Sequence, residues 1–135
     1  MNRGNLHLNS GFKNSLLKFL TVGVINTLLS IFVIFSLKYF YHLNDIAANL
    51  VGYMLGLACS FVLNRNWTFK HSGVLIPTVL KFILVFFVAY TANLSMVLFF
   101  IKLGFNAYFS HLLGIPIYTA IFYMGSKIYV FKSNP

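Results

Sequence analysis

A single carboxylate, a single cysteine and only three prolines occur in 135 residues. With Asp45 as its sole acid, the chain has no acidic residue inside a predicted span, the ionisable relay that proton-coupled carriers use. Cys59 alone forms no internal disulfide, and His7, His42, His71 and His111 are spread too widely to read as a local metal motif. No glycine-rich phosphate loop is present, which disfavours transport energised directly by nucleotide. No nucleophile has a histidine or carboxylate companion at a recognisable spacing, so the sequence points to no catalytic residue and no cofactor.

Apolar residues fill the space that these absences leave. Hydrophobic residues make up 59% of the chain and charged residues 8%, with a mean hydropathy of +0.83. So little polar surface cannot cover a soluble globule, and lipid is the solvent the composition calls for. Apolar runs fall at 16–40, 46–63, 77–101 and 107–130, each near or above the ~20 residues that cross a ~30 Å hydrocarbon core. The first exceeds the ~7–15 residues of a signal-peptide core and lacks a clean small-x-small site after it, so it reads as a retained helix. Four helices leave almost nothing for a second domain.

The two halves repeat one another. Leu63-Asn64-Arg65-Asn66-Trp67-Thr68-Phe69-Lys70 has its counterpart in Gly125-Ser126-Lys127-Ile128-Tyr129-Val130-Phe131-Lys132, an offset of 62 positions. The same offset aligns Asn44 with Asn106, Leu50 with Leu112 and Gly52 with Gly114, while Lys18-Phe19 matches Lys81-Phe82 at 63. This is an internal duplication. It predicts an all-α integral membrane protein, one domain over residues 1–135, with four transmembrane helices as a 2+2 parallel repeat whose halves span about 16–70 and 78–132.

Charge sets the expected orientation. Arg3, Lys13 and Lys18 precede the first span, Arg65, Lys70 and Lys81 surround the second connection, and Lys127 and Lys132 follow the fourth span. The opposite connections hold only Lys38 and Lys102. The positive-inside rule places both termini in the cytoplasm. A net charge of +9 on a soluble chain would raise nucleic-acid binding, but cations flanking apolar helices fit anionic membrane lipids instead.

Polar residues inside the spans mark a candidate seam. Ala48, Gly52, Gly56, Ser60 and Asn64 recur at every fourth position of the second helix, and Gly52-x-x-x-Gly56 permits close helix approach. Asn26 in the first helix and Asn93 in the third need hydrogen-bond partners in lipid, so both are expected to face the bundle interior. Interhelical packing explains them without a ligand. Asn49 and His111 occupy equivalent repeat positions one turn into helices two and four. Asn44 and Asn106 are expected N-caps, with Asp45 favouring the helix dipole in the first half only.

Phe19-Leu20-Thr21-Val22-Gly23, Asn26-Thr27, Ala48-Asn49, Phe61-x-x-Asn64-Arg65-x-Trp67-Thr68-Phe69 and the closing Lys127-x-Tyr129-Val130-Phe131 together resemble the GtrA family of small bacterial membrane proteins. The likeness runs from Lys18 to Lys132, and Asn-Arg-x-Trp-Thr-Phe is its most specific element. Lys127 stands where many relatives carry Arg. The resemblance implies a multi-pass protein of the bacterial inner membrane that moves a polyprenyl-phosphate-linked sugar to the outer leaflet for a separate glycosyltransferase, in decorating cell-envelope polysaccharide.

The residues fit that chemistry. An Arg fork holds a phosphodiester bidentately, and Trp67 and Tyr129 suit the headgroup boundary. The lipid-phosphate group is therefore expected at Arg65, Lys127, Lys18 and Lys81, with Asn26, Asn49, Ser60, Asn64 and Asn93 forming the polar seam. With no proton or ATP machinery, transport would be equilibrative, drawn by consumption of the sugar outside. Four short helices leave little room to shield a crossing phosphate, a need that a homodimer would meet. The alternative is a non-transporting anchor that recruits the polyprenyl-phosphate glycosyltransferase. A small multidrug exporter matches in size but lacks the membrane acid and has too one-sided a charge bias.

Overall fold

The computed structural model describes residues 3–132, with side chains from residue 11 onward. The Arg3 and His7 side chains of the sequence reading lie outside the described residues. The described residues form four long helices, α1 (Arg3–Tyr41), α2 (Asp45–Leu63), α3 (Leu75–Lys102) and α4 (Ala107–Gly125). Each includes a stretch long and apolar enough to span a bilayer, at Gly11–Tyr41, Asp45–Thr68, Leu75–Lys102 and Ala107–Val130. The second and fourth run on through a π-helical turn, Asn64–Thr68 and Ser126–Val130. The chain divides into two compact units, residues 1–70 and 71–135.

In the first unit α1 and α2 form an antiparallel hairpin, which the order of contacts requires. Gly52 lies against Ile34 and Gly56 against Asn26 and Ser30, while Trp67 lies beneath Lys18, so the α1 partner number falls as the α2 number rises. The hairpin closes where His42 adopts a left-handed φ of 51° and the Leu43 N–H reaches back to the Leu37 carbonyl at 3.4 Å, a Schellman-like stop. Asn44 then caps α2, its side chain accepting the Ala47 N–H at 2.8 Å.

The second unit repeats that construction. Asn93 and Val97 of α3 lie over Gly114, and Val85 over Gly125. Gly104, 62 positions after His42, takes the left-handed place with φ 91°. Asn106 caps α4 through the Phe109 N–H, also at 2.8 Å. Two identical caps at one repeat offset explain why both helices begin where they do.

Packing is confined to one stripe of each helix. Phe19, Val22, Ala48 and Phe61 are buried in the first unit, and Phe82, Ala89, Val97, Phe122 and Tyr123 in the second. Phe122 meets Phe82 at 5.1 Å and Tyr118 at 5.4 Å between ring centroids. Most remaining large apolar side chains are exposed, from Leu28 and Phe32 on α1 to Leu112 and Ile115 on α4. In water that would be untenable; in hydrocarbon it is the expected lipid-facing surface. Pro116 lies within α4, a placement that membrane helices tolerate.

Candidate functional site

The polar end of each hairpin is built around its π turn. In the first unit the Phe69 N–H bonds to the Asn64 carbonyl at 2.9 Å, and in the second the Phe131 N–H bonds to Ser126 at 2.8 Å. The five-residue spacing widens the helix by one residue, so that Asn64 and Thr68, or Ser126 and Val130, both turn inward. Asn64 is only 1% exposed, and its amide nitrogen donates to the Ser60 hydroxyl at 3.2 Å. Buried oxygens of Asn64, Thr68 and Ser126 have no hydrogen-bond partner. Such unmatched buried acceptors cost about 1–3 kcal/mol each unless something answers them.

Around those turns the repeat pairs the same residues twice. Lys18 Nζ lies 5.6 Å from the Trp67 ring centroid, and Lys81 Nζ lies 5.3 Å from that of Tyr129. Phe19 meets Phe69 at 6.3 Å, and Phe82 meets Phe131 at 5.9 Å. The lysine and phenylalanine of each first helix therefore rest on aromatic residues of its own π turn and of the position just after it. Aromatic support holds an ammonium near the boundary without neutralising it.

Arg65 and Lys127 follow the buried residue of each turn, and both are half-buried. Lys127 lies over Tyr123, 5.6 Å from its ring centroid, and 3.5 Å from its hydroxyl. Asp45, the only acid, is 2.5 Å from Lys38 at the far end of α2, some 30 Å from Arg65 at ~1.5 Å per residue. Among the described residues neither π turn contains an acidic side chain, so the field at each end is positive and favours an external anion.

The expected seam is divided among different tasks. Asn26 and Ser30 approach Gly56 so closely that a methyl group there would collide with both, and Asn93 crowds Gly114 similarly. Both asparagines are half-buried, and their side-chain oxygens are enclosed without a hydrogen-bond partner, which departs from the expected interhelical bonds. The glycines admit the amides sterically yet offer no polar hydrogen to them. Asn49 directs its amide to the Asp45 carbonyl at 2.7 Å, within its own helix. Among the seam residues only Ser60 and Asn64 bond to one another, Asn64 lying one residue before Arg65 in the chain. Tyr123 was missed as the support of Lys127; its position four residues earlier on one helix was the available signal.

A model of the GtrA/DPMS transmembrane domain matches residues 18–131, nearly the whole chain. An uncharacterized membrane protein of Bacillus subtilis (strain 168), YngA, is 30% identical over 121 residues, covering 87% of this chain and 79% of the relative.

Proposed function

We propose, from the premise that the chain belongs to the GtrA/DPMS transmembrane-domain family, that it translocates a polyprenyl-phosphate-linked monosaccharide from the cytoplasmic to the outer leaflet. The observation that carries this reading is the duplicated cationic end: Lys18 rests on Trp67, whose π turn also holds Arg65, and Lys81 rests on Tyr129, whose π turn also holds Lys127. Lipid-linked sugars present one phosphodiester at headgroup depth. Arg65 supplies the planar fork that matches it, and the lysines supply point charges.

Orientation follows from charge. Both termini and the connection between α2 and α3 face the cytoplasm, where the polyprenyl-phosphate glycosyltransferases would meet the carrier, and the protein resides in a bacterial inner membrane. It makes and breaks no covalent bond. Moving an unshielded phosphate through hydrocarbon is prohibitively costly, so its binding end must release the headgroup into a polar route between helices. Reconstituted vesicles carrying a labelled polyprenyl-phosphate-sugar test this. Movement in the purified protein alone is the expected result; glycosyltransferase capture without movement would replace the carrier by an anchor.

A further inference from the structure

Residues around the start of α3 and the last described residues of the chain enclose a cleft of about 420 Å³ in the second unit. Lys81 and Lys132 line it with His71, Val74, Thr78 and Tyr129. Both lysines are exposed, and the Tyr129 ring holds Lys81 against the wall at 5.3 Å. Thr78 donates its hydroxyl to the Val74 carbonyl at 2.6 Å, so that hydrogen is committed within the helix. The His71 Nε2 lies 3.5 Å from the same hydroxyl; beside that ring and Tyr129, the cationic donors of the lining are the two ammonium groups, joined by the beginning of α3. Val74, the N-cap residue, makes no side-chain cap bond, and the N–H groups of Val74, Leu75 and Ile76 have no acceptor inside the helix, while Pro77 has no N–H to offer.

No aspartate or glutamate occurs anywhere in residues 71–132. Two ammonium groups and a positive helix start, gathered in a concave site with no acidic side chain among the described residues of the unit, select a compact oxyanion with several acceptor oxygens. Phosphate meets that description. Lys127, which the repeat pairs with Arg65, is not on this wall; its ammonium lies 3.5 Å from the Tyr123 hydroxyl.

We propose that the cleft at the start of α3 binds a phosphate group, on a lipid headgroup or free, with Lys81 and Lys132 as its two cationic arms. This rests on the proposed handling of a lipid phosphate and deepens it, by giving the second unit's phosphate contact to Lys132 as well as Lys81.

Calorimetric titration of the full chain in a neutral detergent, with short-chain phosphatidic acid and separately with inorganic phosphate, tests it. Lys81→Gln and Lys132→Gln should each weaken binding roughly tenfold, as loss of one charge-assisted bond requires, with Lys81→Arg restoring most of it. Lys102→Gln, which removes the same charge from the opposite end of α3, should stay within about twofold. Saturable lysine-dependent binding of phosphatidic acid alone identifies a lipid headgroup; binding of both probes identifies phosphate itself, and either supports the site. No saturable binding of either probe, wild-type affinity in both glutamine variants, or an equal loss in Lys102→Gln overturns it. Should Lys81→Gln fail to fold, Lys132→Gln, beyond the last helical turn, carries the test. Lysine-dependent binding without vesicle transport leaves the cleft standing and removes the carrier. Transport with lysine-independent binding does the reverse.

Discussion

Lys18 rests its ammonium over the Trp67 indole at 5.6 Å, tying the N-terminal half of α1 to the π turn that follows α2. Trp67 is 41% exposed, so the pairing lies in the regime where a cation over an aromatic face contributes about 0.5–1 kcal/mol. A double-mutant cycle of Lys18→Met and Trp67→Leu, read by reversible denaturation in mixed micelles, should return a coupling energy of that size. Trp67→Phe should retain roughly half of it, since the weaker ring still presents a negative face. Strict additivity of the two substitutions would show that the ammonium gains nothing from the ring.

Helix approach in the two units depends on particular glycines and not on glycine in general. A Cβ at Gly56 would collide with Asn26 and Ser30, whereas one at Gly23 meets nothing within 4 Å. Gly56→Leu should therefore lower folded yield and cost more than about 2 kcal/mol. Leu55→Ile, at a half-exposed lipid-facing position, should stay within about 1 kcal/mol. Gly23→Ala should be neutral or stabilising by up to about 1 kcal/mol, from helix propensity. Equal thermal tolerance of Gly56→Leu and Leu55→Ile in detergent would remove close packing from the account.

Topology gives a third expectation. Reporter fusions at either terminus should read as cytoplasmic, and insertions near Asn44 or Gly104 as external, because the basic residues cluster at the termini and between α2 and α3. An external terminus or a mixed population would contradict the positive-inside assignment, and with it the cytoplasmic placement of Arg65.

Which parts of this architecture can be read without coordinates depends on the range of the interaction. Caps are local, so Asn44 and Asn106 announce α2 and α4, and the structure starts those helices at Asp45 and Ala107. Apolar runs are likewise legible, because lipid demands about 20 consecutive apolar residues. The start of α1 is not: its helix begins at Arg3, ahead of the apolar run at 16, since hydrophobicity reports bilayer contact and not helical backbone. The π turns also escape a periodicity search. One extra residue shifts the inward face by about 100°, and only the packing of Asn64 and Thr68 together reveals it. The repeat did align Trp67 with Tyr129 at 62 positions and Lys18 with Lys81 at 63. That each lysine sits on its own aromatic is a tertiary fact, set by hairpin register, as is the cleft between Lys81 and Lys132.

Arg65 carries the most demanding prediction. Its neighbour Asn64 is locked inward by burial and the Ser60 bond, so the π turn fixes the backbone from which the guanidinium projects. Under the phosphate reading, Arg65→Lys keeps charge but loses the fork, and Arg65→Gln loses both. Vesicle transport should fall in that order, by roughly tenfold and then further, while abundance in the membrane stays near wild type. Lys127→Gln should also impair transport, and Lys127→Arg should be tolerated, because the guanidinium can still engage the Tyr123 ring and hydroxyl. An orientation signal behaves differently, since the positive-inside rule counts local charge without regard to fork geometry. A lysine added two or three residues from Arg65→Gln would then restore function completely. Incomplete recovery, with termini still cytoplasmic, is the expected result; full recovery of transport by the displaced charge would leave Arg65 as a topology determinant and end its role as a phosphate ligand.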